Sequence, residues 1–393
     1  MNRWLFLFCL MTIFLSCKGQ SEVMKDVSSQ VVTVGASRSS LYLPLLQNKR
    51  VAVVANATSV VEGVHLVDKL INKRVIVTKV FAPEHGFRGD VPAGEKVNSS
   101  VDEKTGIPIV SLYGKHYQPT SEDLQDVDVV LFDIQDVGVR FYTYLSTLYY
   151  VMQACERDGK QLVVLDRPNP NASVVDGPIL DLSLKSMVGV IPIPILHGCT
   201  LGEMALMMVG EEWGVSQKFQ AQLTVIPCEG WGHHSSYALP IPPSPNLRSA
   251  CAIQLYPSLC WFEGTNVSVG RGTEQAFETF GFPELKNPDF FFIPQSISGR
   301  VNHPPFEGLP CGGRDLSEAC KASLQLKLDY LMEAYQQLGD AMFTSPQFFD
   351  KLAGTSDLRK QLSAGWTEEQ IRATWSEGLN HYMDIRSKYL LYP

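Results

Sequence analysis

Five short runs of aliphatic and β-branched residues, most of them ending in a polar loop, recur between residues 50 and 166: Arg50–Asn56, Val75–Phe81, Ile107–Leu112, Val127–Asp133 and Gln161–Asp166. Stretches with apolar residues at helical spacing lie between them, Val64–Ile71 and Tyr142–Asp158 being the clearest. Runs so continuously apolar predict strands buried on both faces, and their alternation with helices predicts a parallel sheet. The expected fold class is therefore α/β, with a Rossmann-like, mainly parallel sheet. Nothing of the form G-x-G-x-x-G follows the first run, where Asn56-Ala57-Thr58-Ser59 stands, and no G-x-x-x-x-G-K-[ST] occurs. The fold class points to a nucleotide, the motifs deny one, and no cofactor is expected.

The sequence divides into four parts. Asn2-Arg3 followed by the apolar run Trp4–Leu15 reads as a signal segment, too short for a membrane span. Phe14-Leu15-Ser16-Cys17 resembles a bacterial lipobox, with Phe14 where Leu is usual; residues 1–17 would then be a lipoprotein signal with Cys17 as the lipidation site. An ordinary secretory peptide with an incidental Cys17 is the alternative, and either sends the chain out of the cytoplasm. Residues 18–33 are polar and read as a flexible tether. Residues 34–240 form the Rossmann-like domain, closing with extended Ile191–Gly198, a helix opened by Thr200 with Glu203 completing a capping box, and a strand at 221–227. A proline-dense crossing segment, 239–250, leads into a C-terminal subdomain, 241–393. Helices are expected there at Leu316–Leu338 and Glu368–Ser387, capped by Asp315 and Thr367.

Composition narrows the partners. A net charge of −8 with no long basic run argues against nucleic acid. Of nine cysteines, Cys9 and Cys17 fall in the signal segment, and the odd remainder allows one or two disulfides that spacing does not assign. His233-His234 has no third ligand at a telling distance, so no metal site is expected.

Chemistry-bearing residues collect in four loops. The first, Phe81-Ala82-Pro83-Glu84-His85-Gly86-Phe87-Arg88-Gly89-Asp90, puts an acid, an imidazole and a guanidinium between glycines that free the backbone. The others are Asp133–Tyr142, Asp166-Arg167-Pro168-Asn169, and Glu263-Gly264-Thr265-Asn266 with Arg271. Three begin at carboxyl ends of predicted strands, which in one parallel sheet share a rim. Paired carboxyl groups with arginines suit hydrolysis of a charged glycoside. Glu84 is the candidate acid, since packing against Phe81 and Phe87 would disfavour its charged form; Asp133, then Glu263, then Asp136 are candidate partners. Arg140, Arg167 and Arg271 are candidate carboxylate binders, with His85, Arg88, Tyr142, Asp166, Asn169 and Asn266 as further substrate contacts. Glu203 is explained by its capping box, and His197 reads as a core histidine.

Glu84-His85-Gly86-Phe87-Arg88-Gly89, Asp133–Tyr144, Asp166–Pro170, and Phe262–Asn266 with Gly270–Thr273 together resemble the exo-β-N-acetylmuramidase family, NamZ-type glycoside hydrolases long catalogued as a domain of unknown function. The resemblance runs from about residue 35 to the C-terminus. It implies a second α/β subdomain, a cleft between the two, release of N-acetylmuramic acid from non-reducing ends of peptidoglycan fragments, and Glu84 as the favoured catalytic residue. The lactyl carboxylate of that sugar would meet the arginines, and a lipid-anchored protein on the periplasmic side or cell surface would fit cell-wall recycling. A binding lipoprotein that captures muropeptides or acidic sugars without cleaving them is the main alternative.

Overall fold

The computed structural model describes residues 32–89, 100–321 and 324–393. All five apolar runs are strands. In chain order the central sheet contains β1 (Arg50–Ala55), β2 (Ile76–Ala82), β3 (Ser100–Val101), β4 (Pro108–Ser111), β5 (Val129–Asp133), β6 (Gln161–Leu165) and β7 (Leu223–Ile226). Their spatial order is β3-β4-β2-β1-β5-β6-β7, with every neighbouring pair parallel except β3 and β4. Without the antiparallel edge strand β3, this is the doubly wound order of dinucleotide-binding folds, whose ligand crevice opens where the winding reverses, here between β1 and β5.

Side chains alternate across β1. Val51, Val53 and Ala55 enter a core with Leu66 and Leu70, whereas Ala52 and Val54 join the other face with Leu145 and Leu148. Burial on both sides is what made these runs uniformly apolar.

The chain's own loops fill the crevice between β1 and β5. The Ser59 hydroxyl donates to the carbonyl of Asp133, and the Thr58 hydroxyl accepts from Gln135 N at 3.0 Å while donating to Asn56 Oδ1 at 2.6 Å. Where a dinucleotide fold offers backbone to a pyrophosphate, this one joins two loops to each other.

The second layer of structure is a three-stranded antiparallel sheet, β8 (Thr279–Phe282), β9 (Phe290–Phe292) and β10 (Cys311–Asp315), in the order β8-β10-β9, surrounded by short helices. Several expectations shift. Val64–Ile71 begins as a ribbon, Val60–Val61 paired with Val64–His65, before the helix Leu66–Asn72. Among the described residues of Leu316–Leu338 only Asp329–Leu338 is α-helix; Asp315 closes a strand, its carboxylate accepting from Ser317 N. Thr367 caps as expected, but Glu368–Ser387 splits into Glu368–Ala373 and Ser376–Arg386, with the Thr374 hydroxyl bonded back to the Ile371 carbonyl at the break. The stretch Ile191–Gly198, read as extended, joins no sheet, and Leu196 makes isolated bridges to Val139 and Asp176.

Cys251 and Cys320 form a disulfide, and Cys155, Cys199, Cys228, Cys260 and Cys311 are buried thiols. Thr33 pairs with Glu229, so the expected tether ends in fixed structure at that residue. The signal segment and Cys17 lie outside the described residues. Among the described residues no helix is long and apolar enough to cross a membrane, and no group of three or more His, Cys, Asp or Glu is placed to hold a metal ion.

Candidate active site

The loop after β2 turns tightly. Gly86 N donates to Pro83 O at 3.1 Å, and both His85 and Gly86 are left-handed, with φ of 70° and 76°. For histidine that conformation costs about 1 kcal/mol or more, a strain that the surroundings must hold in place. Glu84, just before the strained pair, receives a hydrogen bond from Thr143 Oγ1 to Oε2 at 2.9 Å, and its charge reaches the nearby Tyr113 phenol. The Tyr144 hydroxyl stands 3.5 Å from the Glu84 carbonyl. Phe87 turns elsewhere, edge-on to His65 and under the Arg88 guanidinium. The surroundings of Glu84 are thus hydroxyl-lined rather than the phenylalanine vice expected from sequence.

Glu84 opens onto a cleft of about 550 Å³. His85, Tyr113, Tyr142 and Thr143 line it from the Rossmann-like side; Tyr256, Glu263, Arg271 and Phe277 line it from the C-terminal side, with Met187, Val188, Phe348 and Leu352 as apolar wall. Glu263 pairs with Arg271 at 2.5 Å, and that guanidinium lies 5.1 Å over the Phe277 ring. Burial, then Glu84, then Glu263 push the Tyr113 phenol up, so this hydroxyl feels both carboxylates. Tyr142 contributes its ring, 5.8 Å from that of Tyr256, while its hydroxyl is bonded to Pro243 O at 2.7 Å.

The remaining expected site residues go elsewhere. Asp133 and Arg167 form a bidentate pair, at 2.6 and 3.0 Å, fully buried beside the filled crevice. Asp133 is therefore not a cleft carboxylate, nor Arg167 a cleft cation. Arg140 is also buried, donating to the carbonyls of Pro178, Ile193 and Leu352, and burial pulls its pKa down to about 9. Arg88 binds Asp102 through two nitrogens at 2.8 Å and reaches Asp68 at 3.2 Å. Asp166 accepts from Thr200, Tyr392 and Gly202 N, and burial raises it to about 6. Asn169 bridges Asn171 N and Cys199 O, pressed so closely on Gly138 that a Cβ there would lie 2.0 Å from its Oδ1. Asn266 N is bonded to Met342 O, and its side chain lies outside the cleft lining.

Asp136 is buried, with Oδ2 bonded to Gly138 N at 2.7 Å and 4.0 Å from His197 Nε2. His197 is the core histidine expected. Glu203 completes the capping box with Thr200 and also meets His233 Nε2 at 3.0 Å, which gives that histidine a structural partner.

Tyr113, Thr143 and Tyr256 are cleft residues that sequence reasoning did not single out. Tyr113 follows β4 at its carboxyl end, the topological position that pointed to the other loops. Tyr256 lies within a helix, Ala250–Leu259, whose periodicity gives no sign of a cleft.

Two family models cover this chain: the N-terminal part of exo-beta-N-acetylmuramidase NamZ matches residues 51–251, and the C-terminal part of the same protein matches residues 254–392. The chain belongs to the exo-beta-N-acetylmuramidase NamZ family. It is accordingly an enzyme of the glycosidase class, which decides against the non-cleaving alternative. A NamZ relative, the peptidoglycan beta-N-acetylmuramidase of Bacillus subtilis (strain 168), is 37% identical over 377 residues, 89% of each chain. Crystal structures of two DUF1343 family proteins from Bacteroides fragilis NCTC 9343 share the NamZ-like architecture. One superposes with a TM-score of 0.82 at 43% identity and the other with 0.78 at 27%, each covering 92% of this chain and 99% of its own.

Proposed function

We propose that the protein is an exo-acting glycoside hydrolase releasing N-acetylmuramic acid from the non-reducing ends of peptidoglycan fragments. One observation carries the reading: Glu84 and Glu263, from opposite sides, open onto a single cleft in which Tyr113 feels both. Glu84 acts as general acid/base. Its hydroxyl partner Thr143 fixes the carboxyl orientation needed to protonate a leaving glycosidic oxygen, with the Tyr113 phenol lining the same cleft. Glu263 is the second carboxylate, serving water, the anomeric carbon or the acetamido arm of the sugar. Of the three arginines expected to bind the lactyl carboxylate, Arg271 alone lines the cleft, and it takes that role while paired with Glu263. His85 borders the same volume, and its strained backbone aims it there.

The same reading puts the protein outside the cytoplasm, anchored through Cys17. The apolar segment Trp4–Leu15 supports it, as does the Cys251–Cys320 disulfide, a bond that persists in oxidising compartments.

The test is product release from a chromogenic β-N-acetylmuramoyl glycoside, run beside its N-acetylglucosamine analogue, with wild type, Glu84→Gln and Glu263→Gln. Turnover of the muramoyl substrate alone, abolished by Glu84→Gln in a folded protein, is expected. Turnover that survives both substitutions would overturn the assignment, as would equal turnover of the two sugars.

A further inference from the structure

A second groove, about 570 Å³, lies among the C-terminal helices and shares no lining residue with the cleft. Helix Asp357–Ser363 supplies one wall, helix Ser376–Arg386 another, and Ile179 the floor opposite Gly378, where an added Cβ would come within 2.9 Å of the Ile179 side chain. Trp366 stands at its edge with 38% of its surface exposed, held by the left-handed Gly365 and by its own N–H bonded to Gln361 O at 3.0 Å. Among the described tryptophans it alone is exposed; Trp231, Trp261 and Trp375 are buried and Trp213 is half-buried.

Gln361 gives the groove its chemistry. The residue is 92% buried and lines the groove, and its side chain is tied at one end only, Nε2 donating to Thr374 Oγ1 at 3.3 Å; Oε1 has no hydrogen-bond partner. A buried amide oxygen left without a donor is destabilising, and a ligand N–H would relieve that once the amide turns toward the opening. The charges at the rim, Asp357 and Lys360, neutralise each other at 2.9 Å. The groove therefore suits a neutral ligand with an apolar face, hydroxyl groups and an amide N–H.

We propose that this groove binds N-acetylhexosamine residues of a glycan chain, the sugar's C–H face on Trp366 and its acetamido N–H on Gln361 Oε1. It would hold a polymeric substrate apart from the bond being cleaved. The proposal rests on the glycosidase reading for its choice of sugar, although the binding itself involves no turnover.

The experiment is calorimetric titration of the full protein with tri-N-acetylchitotriose, using wild type, Trp366→Ala, Trp366→Phe and Glu84→Gln. Binding by wild type and Glu84→Gln, at least 10-fold weaker in Trp366→Ala and partly restored in Trp366→Phe, is expected. Trp366→Ala should leave turnover of the small muramoyl glycoside unchanged and slow the digestion of long peptidoglycan strands several-fold. Absence of wild-type binding overturns the proposal, as does binding indifferent to Trp366 or occupation of the groove by a peptidoglycan stem tripeptide instead. A protein that fails to turn over the muramoyl glycoside but binds chitotriose through Trp366 would refute the catalytic reading and leave the groove standing.

Discussion

Thr143, the residue that opens helix Tyr144–Arg157, donates its hydroxyl to Glu84 Oε2 at 2.9 Å. The carboxyl group in the strained turn after β2 is thus oriented by a residue on a helix that follows β5, and neither loop holds the geometry alone.

That contact is testable. A hydrogen bond to a charged group is worth about 1.5–3 kcal/mol, and about 1.4 kcal/mol corresponds to tenfold in rate. Thr143→Val should lower kcat on a muramoyl glycoside by about 10-fold or more with little change in KM, while Thr143→Ser keeps most activity. Unchanged kcat in a folded Thr143→Val enzyme would remove Thr143 from the account.

Asp133 and Arg167 give an opposite expectation. Removing one partner from a buried ion pair strands the other charge, at a cost of about 3–5 kcal/mol. Asp133→Asn should cost stability in chemical denaturation, and the double substitution Asp133→Leu/Arg167→Met should recover part of the loss. Folded Asp133→Asn enzyme should turn over muramoyl substrate at near the wild-type rate; a collapse of kcat with stability intact would return Asp133 to the catalytic group.

The buried neighbours Asp136 and His197 should cancel in a pH titration of stability. Burial raises Asp136 to about 7 and lowers His197 to about 3. Between about pH 4 and 6.5 the folded protein then holds a proton on Asp136 that the unfolded chain lacks, and lacks one on His197 that the unfolded chain holds. The raised acid makes stability fall as pH rises from about 4 to 7; the lowered histidine makes it rise from about 3 to 6.5. The pair together contributes almost no slope. Asp136→Asn should unmask stability that rises with pH, and His197→Gln stability that falls, when unfolding is followed from pH 4 to 7. Parallel curves for all three proteins would contradict this.

The Cys251–Cys320 disulfide, with a sequence separation of 69 residues, should contribute about 2–4 kcal/mol. A reducing agent, or Cys251→Ser with Cys320→Ser, should lower Tm by several degrees while leaving the cleft active. Insensitivity of Tm to reduction would count against the pairing.

The sheet is readable in the sequence because burial on both faces writes itself as uninterrupted aliphatic runs, and β1, β2, β4, β5 and β6 stand within two residues of where those runs predict them. Glu84, His85 and Glu263 are readable because glycines and charges crowd around them. Function-bearing loops and load-sharing ones look alike, however. A carboxylate at a strand end reads the same whether it faces a cleft or, like Asp133, the arginine of the next strand. Arg140 reads as a ligand binder because its partners are carbonyls 38, 53 and 212 residues away, and carbonyls leave no trace in a sequence. Conversely, Tyr113 is ordinary in sequence and becomes special only because β4 lies beside β2, which brings it to Glu84.

Arg140 also bears on how such chains can be recombined. Its guanidinium takes two carbonyls from the segment matched by the N-terminal family model and one, Leu352 O, from the segment matched by the C-terminal one. A Cβ at Gly354 would collide with it. Grafting a foreign C-terminal half would leave a charged fork in the interior unless the donor also brings a carbonyl and a glycine to that spot. The boundary near residue 252 is thus a seam in the sequence and a weld in the molecule.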